Sequence, residues 1–163
     1  MGRIFTYTEI EVGRLLSRYH QYDKIINYID YVPDETNQNH YNKKPWYGGI
    51  YFHISDFPQA NYNDQEHPYP ITVRVTRPIQ CLQCIKDVSE IALDELFNAA
   101  RKEIEPVCGK YFIPRGSSEF RFFHWLARNG FAFIDTEYDQ DKNALGDEII
   151  LPYKYIRTHI KQI

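Results

Sequence analysis

A mixed α+β fold is what this sequence predicts, and three observations carry the expectation. Short apolar runs alternate with polar residues in the manner of half-buried strands, most cleanly over 69–77 (YPITVRVTR). Two longer stretches, 88–105 and 118–129, carry apolar side chains at helical spacing instead. The 163 residues show no internal repeat, low-complexity tract or linker, so a single domain covering 1–163 is expected, with about six strands and three helices.

In chain order, 3–10 (RIFTYTEI) reads as a first strand, with Ile4, Thr6 and Thr8 on one side and Phe5 and Tyr7 on the other. Over 11–30, Leu15, Leu16, Tyr19, Tyr22, Ile25, Ile26 and Ile29 make a broad stripe that predicts one or two helices. Residues 33–44 (PDETNQNHYNKK) are polar and turn-rich, a loop of a length often tied to function. Ile50-Tyr51-Phe52 is a short strand entered through Gly48-Gly49. In 69–77, Ile71, Val73 and Val75 face one way, Pro70 and Pro78 bound the run, and Cys81-Leu82 extends the same sheet. The 88–105 helix stops at Pro106, and the 118–129 helix starts at a Ser118 cap and stops at Gly130. Strands are expected at 131–134 and 148–151, joined by a polar loop, and the tail from Pro152 reads as an amphipathic strand or edge.

Composition excludes several classes. A net charge of −3 does not suit a protein that coats nucleic acid through bulk charge, although a local basic patch would suffice for a nucleic-acid substrate. Arg115, Arg121, Arg128 and His124 are candidates for such a patch; an ion-paired or solvated face is the plainer account. Cys81, Cys84 and Cys108 are an odd set, and no second pair follows Cys81-Leu-Gln-Cys84 at zinc-site spacing. Buried reduced thiols, no metal and a reducing, cytoplasmic compartment are expected. The first twenty residues hold no apolar signal core, and no run is long enough to cross a membrane.

The most informative stretch is Tyr47–Tyr62, YGGIYFHISDFPQANY. Tyr51 and Tyr62 flank a turn beside a strand, an arrangement able to hold a flat ligand between two aromatic faces, although a buried strand tyrosine and a loop tyrosine give the same pattern. The run Gly48-Gly49-Ile50-Tyr51-Phe52, seven residues, then Ala60-Asn61-Tyr62 resembles, without a gap, the signature of poly(ADP-ribose) polymerase-like and diphtheria-toxin-like ADP-ribosyltransferases. The resemblance implies an ADP-ribosyltransferase-like split β-sheet core with about three flanking helices. It also implies that Tyr51 and Tyr62 sandwich the nicotinamide ring of NAD, with Gly49 part of the binding turn.

A second anchor lies in Asn143–Pro152, where Glu148 stands immediately before the apolar run Ile149-Ile150-Leu151. A solvated carboxylate at a strand entry is common. The same family, however, places its catalytic glutamate at the head of a late apolar strand, and Glu148-Ile-Ile-Leu-Pro resembles that entry. Gly146 stands where arginine-directed members carry a further glutamate. In this family a carboxylate beside the ribose stabilises the oxocarbenium-like charge that develops as nicotinamide departs.

The family's first strand also offers a His-Gly or an Arg to grip the dinucleotide, and RIFTYTEI has no His. Tyr7-Thr8-Glu9 occupies that place, so Tyr7 and Thr8, or Arg3, are the substitutes; His20, His40 and His53 are the other candidates. Transfer of one ADP-ribose unit fits this better than polymer synthesis. The resemblance therefore implies an NAD-dependent mono-ADP-ribosyltransferase of toxin or effector type. It would modify a host protein or nucleic acid, with a neutralising partner and no membrane. The alternative is a catalytically inactive binding or inhibitor protein on the same fold. A small nuclease based on the basic groups, and a Cys108-His124 hydrolase, are weaker readings.

Overall fold

The computed structural model describes residues 4–25, 48–58, 65–85, 88–104, 119–134 and 148–163. Within them, eight strands form one curled sheet: β1 (Phe5–Ile10), β2 (Leu15–His20), β3 (Gly49–His53), β4 (Tyr69–Val75), β5 (Ile79–Cys84), β6 (Ala132–Ile134), β7 (Glu148–Pro152) and β8 (Ile160–Gln162). Their spatial order is β1-β5-β6-β7-β3-β2-β4-β8. Among the described residues β5 and β6 are the parallel pair, and the other neighbours run antiparallel. Parallel neighbours need a crossover, and α1 (Leu93–Ile104) and α2 (Glu119–Arg128) lie in the chain between β5 and β6. A third helix, α3 (Tyr153–Thr158), separates β7 from β8. The mixed α+β class agrees with the sequence pattern. None of the described helices is long and apolar enough to cross a membrane.

The two faces of the sheet bury different cores. On one, Leu82 of β5, Phe133 of β6 and Ile150 of β7 meet Leu96, Phe97 and Ala100 of α1 and Phe122, Trp125 and Leu126 of α2. Aromatic rings dominate there. Phe122 lies 5.0 Å from Phe97 at a steep angle, and Phe123 stacks on Phe133 at 5.1 Å, the offset and edge geometries that the ring quadrupole favours. On the other face the sheet curls upon itself. Leu16, Ile71 and Val73 from β2 and β4 thereby join Cys81, Ala132, Ile134, Ile149 and Leu151 from the far strands, and Ile156 of α3 joins them.

Six consecutive residues of α2, Phe122–Ala127, are buried, because the helix lies between the sheet and α1. It ends at Gly130, whose φ of 92° closes the last turn: the Gly130 N–H donates to the Ala127 carbonyl and the Phe131 N–H to that of Leu126. The expected helix stop is thus present; Ser118 and Cys108 fall outside the described residues. Cys81 and Cys84 are buried thiols. Their three-residue offset in a strand puts them on opposite faces, one in each core, so together they form neither a chelate nor a disulfide.

Two expectations are corrected. The stripe over 11–30 predicts helix, but 15–20 is a strand, paired with β4 from Leu15↔Arg74 to His20↔Tyr69. The ladder continues through bonds between Gly13, Arg14 and Val75. Leu16 and Ser17 point to opposite faces and both have zero exposure, so the strand lacks the polar alternation that marks a half-buried one. Residues 26–30 lie outside the described residues. In the tail, Tyr153–Thr158 is a short helix rather than a strand: Pro152 turns the chain at φ −55°, and the His159 N–H closes on the Tyr155 carbonyl. The edge strand follows only at Ile160, where Gln162 accepts from the Ile25 N–H and donates to the Asp23 carbonyl.

His20, at the end of β2, is fully buried, and burial first, then the charges of Arg18 and His67, pushes its pKa down to about 3. The unfolded chain therefore takes up this proton near pH 6.5 while the folded chain refuses it, and stability falls as pH drops below about 6.5. The expected slope from this group is at most about 1.4 kcal/mol per pH unit. Urea unfolding at pH 7 and pH 5 measures it, and His20→Asn should flatten the difference between the two.

Candidate functional site

β3 begins where the chain must approach α2 most closely. A Cβ at Gly48 would strike the backbones of Arg128 and His124, and one at Gly49 would strike the Leu151 carbonyl of β7. The glycine pair is therefore required by packing. The Gly48 N–H donates to His124 Nδ1 at 3.0 Å, which puts the ring proton of a neutral His124 on Nε2. From there β3 runs back along α2. Tyr51 meets His124 edge-on at 5.4 Å and Phe123 at 6.2 Å, so its ring orientation is fixed from the helix side.

The β3–β7 ladder sets what lies beside Tyr51. Its register is Gly49↔Pro152, Tyr51↔Ile150 and His53↔Glu148. Opposed residues share a face, so Tyr51, His53, Glu148 and Ile150 project together, with Glu148 diagonal to Tyr51 at about 7–8 Å between backbones. Glu148 is part-exposed at the first position of β7, with Ile149, Ile150 and Leu151 buried behind it. Tyr51, Gly49 and Glu148 thus come together from two distant parts of the chain.

Tyr7 and Thr8 do not join them. They lie on β1 at the sheet's other side, with β5, β6 and β7 between β1 and β3. Tyr7 is 44% exposed, and the Thr8 hydroxyl donates to Gln83 Oε1 at 2.6 Å. Tyr62, Arg3, His40 and Arg115 lie outside the described residues, as does the 135–147 loop. The expected basic face on α2 is corrected at its centre: His124 is 1% exposed, held under β3, because that stripe of the helix packs inward. Arg121 and Arg128 remain at its two ends, part-buried.

Two further residues stand beside the site: Arg18, which pattern reading passed over, and His53, one of its histidine candidates. Arg18 of β2 donates through Nη1 to the Tyr51 carbonyl at 3.0 Å and through Nε to the Tyr19 carbonyl at 3.1 Å. Its guanidinium occupies the place where β2 and β3 part, since they pair only at Ser17↔His53 among the described residues. His53 is 6% exposed. Burial lowers its pKa, the Glu148 carboxylate opposes that, and Arg18 adds to the lowering. Neither role could be read without the register, although His53 stood among the histidine candidates. Among the described residues no three His, Cys, Asp or Glu groups converge in a way that would hold a metal.

No family model matches this chain, and no curated protein matches it either.

Gly48→Ala should lower stability by about 3 kcal/mol or more, since backbone of α2 must move to admit the methyl group. Thermal unfolding measures this. A Gly48→Ala protein as stable as the parent would show that β3 and α2 are not in this contact.

Proposed function

We propose that this protein is an NAD-dependent mono-ADP-ribosyltransferase of the polymerase-like and toxin-like superfamily. The observation that carries the reading is the β3–β7 register, which sets Tyr51 and Glu148 on one face at diagonal positions. The two anchors of the sequence resemblance are thereby neighbours in space. Tyr51, fixed by Phe123 and His124, offers an aromatic surface for nicotinamide. Glu148 offers a carboxylate to the adjoining ribose. In the reaction, the bond between the nicotinamide nitrogen and the ribose C1′ breaks and its electron pair leaves with neutral nicotinamide. Positive charge spreads over C1′ and the ring oxygen. The Glu148 carboxylate stabilises that charge, and hydrogen bonds to the ribose hydroxyls orient it. An acceptor oxygen or nitrogen then forms the new bond at C1′ and loses a proton. Arg18 keeps a positive charge beside the site, which suits an anionic dinucleotide.

Tyr62 completes the sandwich in this reading, and the 135–147 loop meets the acceptor, a protein or nucleic acid of a host. A toxin or effector working in the cytoplasm and held in check by a neutralising partner is the setting we infer. A second reading has its own support. The position of Tyr7 and Thr8 on β1, with three strands between it and β3, leaves the first-strand grip on NAD without an obvious counterpart. That favours a binding or inhibitor protein on the same fold.

Nicotinamide release from NAD, assayed with cell lysate as acceptor source, separates the two. Glu148→Gln should lower the rate about a thousandfold. Tyr51→Ala should raise KM for NAD about tenfold, with less effect on kcat. Absence of NAD binding and of NAD consumption by the parent protein would overturn the enzyme reading.

A further inference from the structure

Across β7, β3 and β2, the register lays Glu148, His53 and Ser17 in one row on a single face. The order is a carboxylate, an imidazole and a hydroxyl, but exposure separates their roles. Ser17 has zero exposure, and its Oγ lies 2.9 Å from that of Ser55, which donates to the Phe57 carbonyl at 2.8 Å. Ser17 therefore closes the inner end of the row and meets no substrate. Glu148, part-exposed at the strand entry, forms the outer end. His53 fills the middle and is itself almost fully buried. A glutamate has three side-chain torsions, so the direction of its carboxylate depends on the groups that stand beside it. His53, buried and directly opposite, is one such group, and the Glu148 charge acts on it.

We infer that His53 is the positioning residue for Glu148, its imidazole holding the carboxylate in the orientation that ribosyl transfer requires. The inference deepens the enzyme reading above and rests on it. Among the described residues, the charges that act on His53 are Glu148 from β7 and Arg18 from β2, with Tyr51 on its own strand and Ser17 as the neutral hydroxyl behind. Arg18 and burial both disfavour a second positive charge, so the neutral imidazole is the form set against the carboxylate at neutral pH. A neutral imidazole has one N–H to donate and one nitrogen to accept. It can therefore hold a carboxylate without consuming its charge, which remains for the ribose. The row also gives a role to a buried histidine at the end of β3, where Ile50 and Phe52 on the other face are hydrophobic.

Two measurements test this, and the first does not depend on turnover. The His53 ring is followed by NMR titration in the parent protein and in Glu148→Gln. Removal of the carboxylate should lower the His53 pKa by about half a unit or more, because an opposite charge favours the protonated ring. Identical titrations would overturn the pairing. The second is steady-state kinetics of His53→Asn and His53→Leu. The Asn variant, which keeps an N–H donor, should retain kcat within about tenfold, and the Leu variant should lose about a hundredfold in kcat with KM for NAD unchanged. Equal kcat in both variants and the parent would overturn the role in catalysis. If the parent consumes no NAD, the enzyme reading fails by itself, and the titration still decides whether the two side chains are coupled.

Discussion

The contact between Gly48-Gly49 and α2 is the constraint on which the rest depends. Hydrogen-bonded backbones and packed helices normally stay apart by the width of side chains. Here β3 enters with none, pressed between the α2 backbone on one side and the Leu151 carbonyl on the other. That closeness lets the buried His124 ring reach the Gly48 amide and brings it edge-on to Tyr51. It also fixes where β3 lies against β7, and so which residue of β7 faces His53. A helix that sits on a strand at this distance must be buried nearly all round, as Phe122–Ala127 are. Packing by itself thus requires the glycine pair of this stretch.

Much of the fold was legible in the residues. β4 alternates cleanly because one face is core and the other is wet, and α2 announces its end with a glycine at positive φ. β2 was not legible, since Leu16 and Ser17 are both fully buried and a strand covered on both faces sheds its period-2 signal. The tail misled for the opposite reason: Tyr153 and Tyr155 alternate, but Pro152 starts a helix before the strand at Ile160.

The candidate site was legible in part. Tyr51 and Glu148 stood out as single residues in recognisable surroundings. What joins them is register, a property of two strands that meet only on folding, and no local pattern encodes it. Arg18 escaped notice on that account, and His53 was one histidine candidate among three. His53 looks like any histidine in a strand until Glu148 is opposite it, and Arg18 looks like a surface cation until its guanidinium is found on the Tyr51 carbonyl. His124 shows the converse error. Helical spacing correctly put it on one stripe with Arg121 and Arg128, but the spacing cannot say whether that stripe faces water or a strand.

The single bridge between β2 and β3 among the described residues has a mechanical consequence. A sheet ordinarily frays from its margins, where each strand has one neighbour. Here the least-stitched seam is internal, with five strands on one side and three on the other. Arg18 spans it, donating a side-chain N–H to the Tyr51 carbonyl. Opening along that seam would part the sheet beside Tyr51 and His53 while both margins stayed intact. Among the described residues, the seam with the fewest bridges is the one that runs beside Tyr51 and His53.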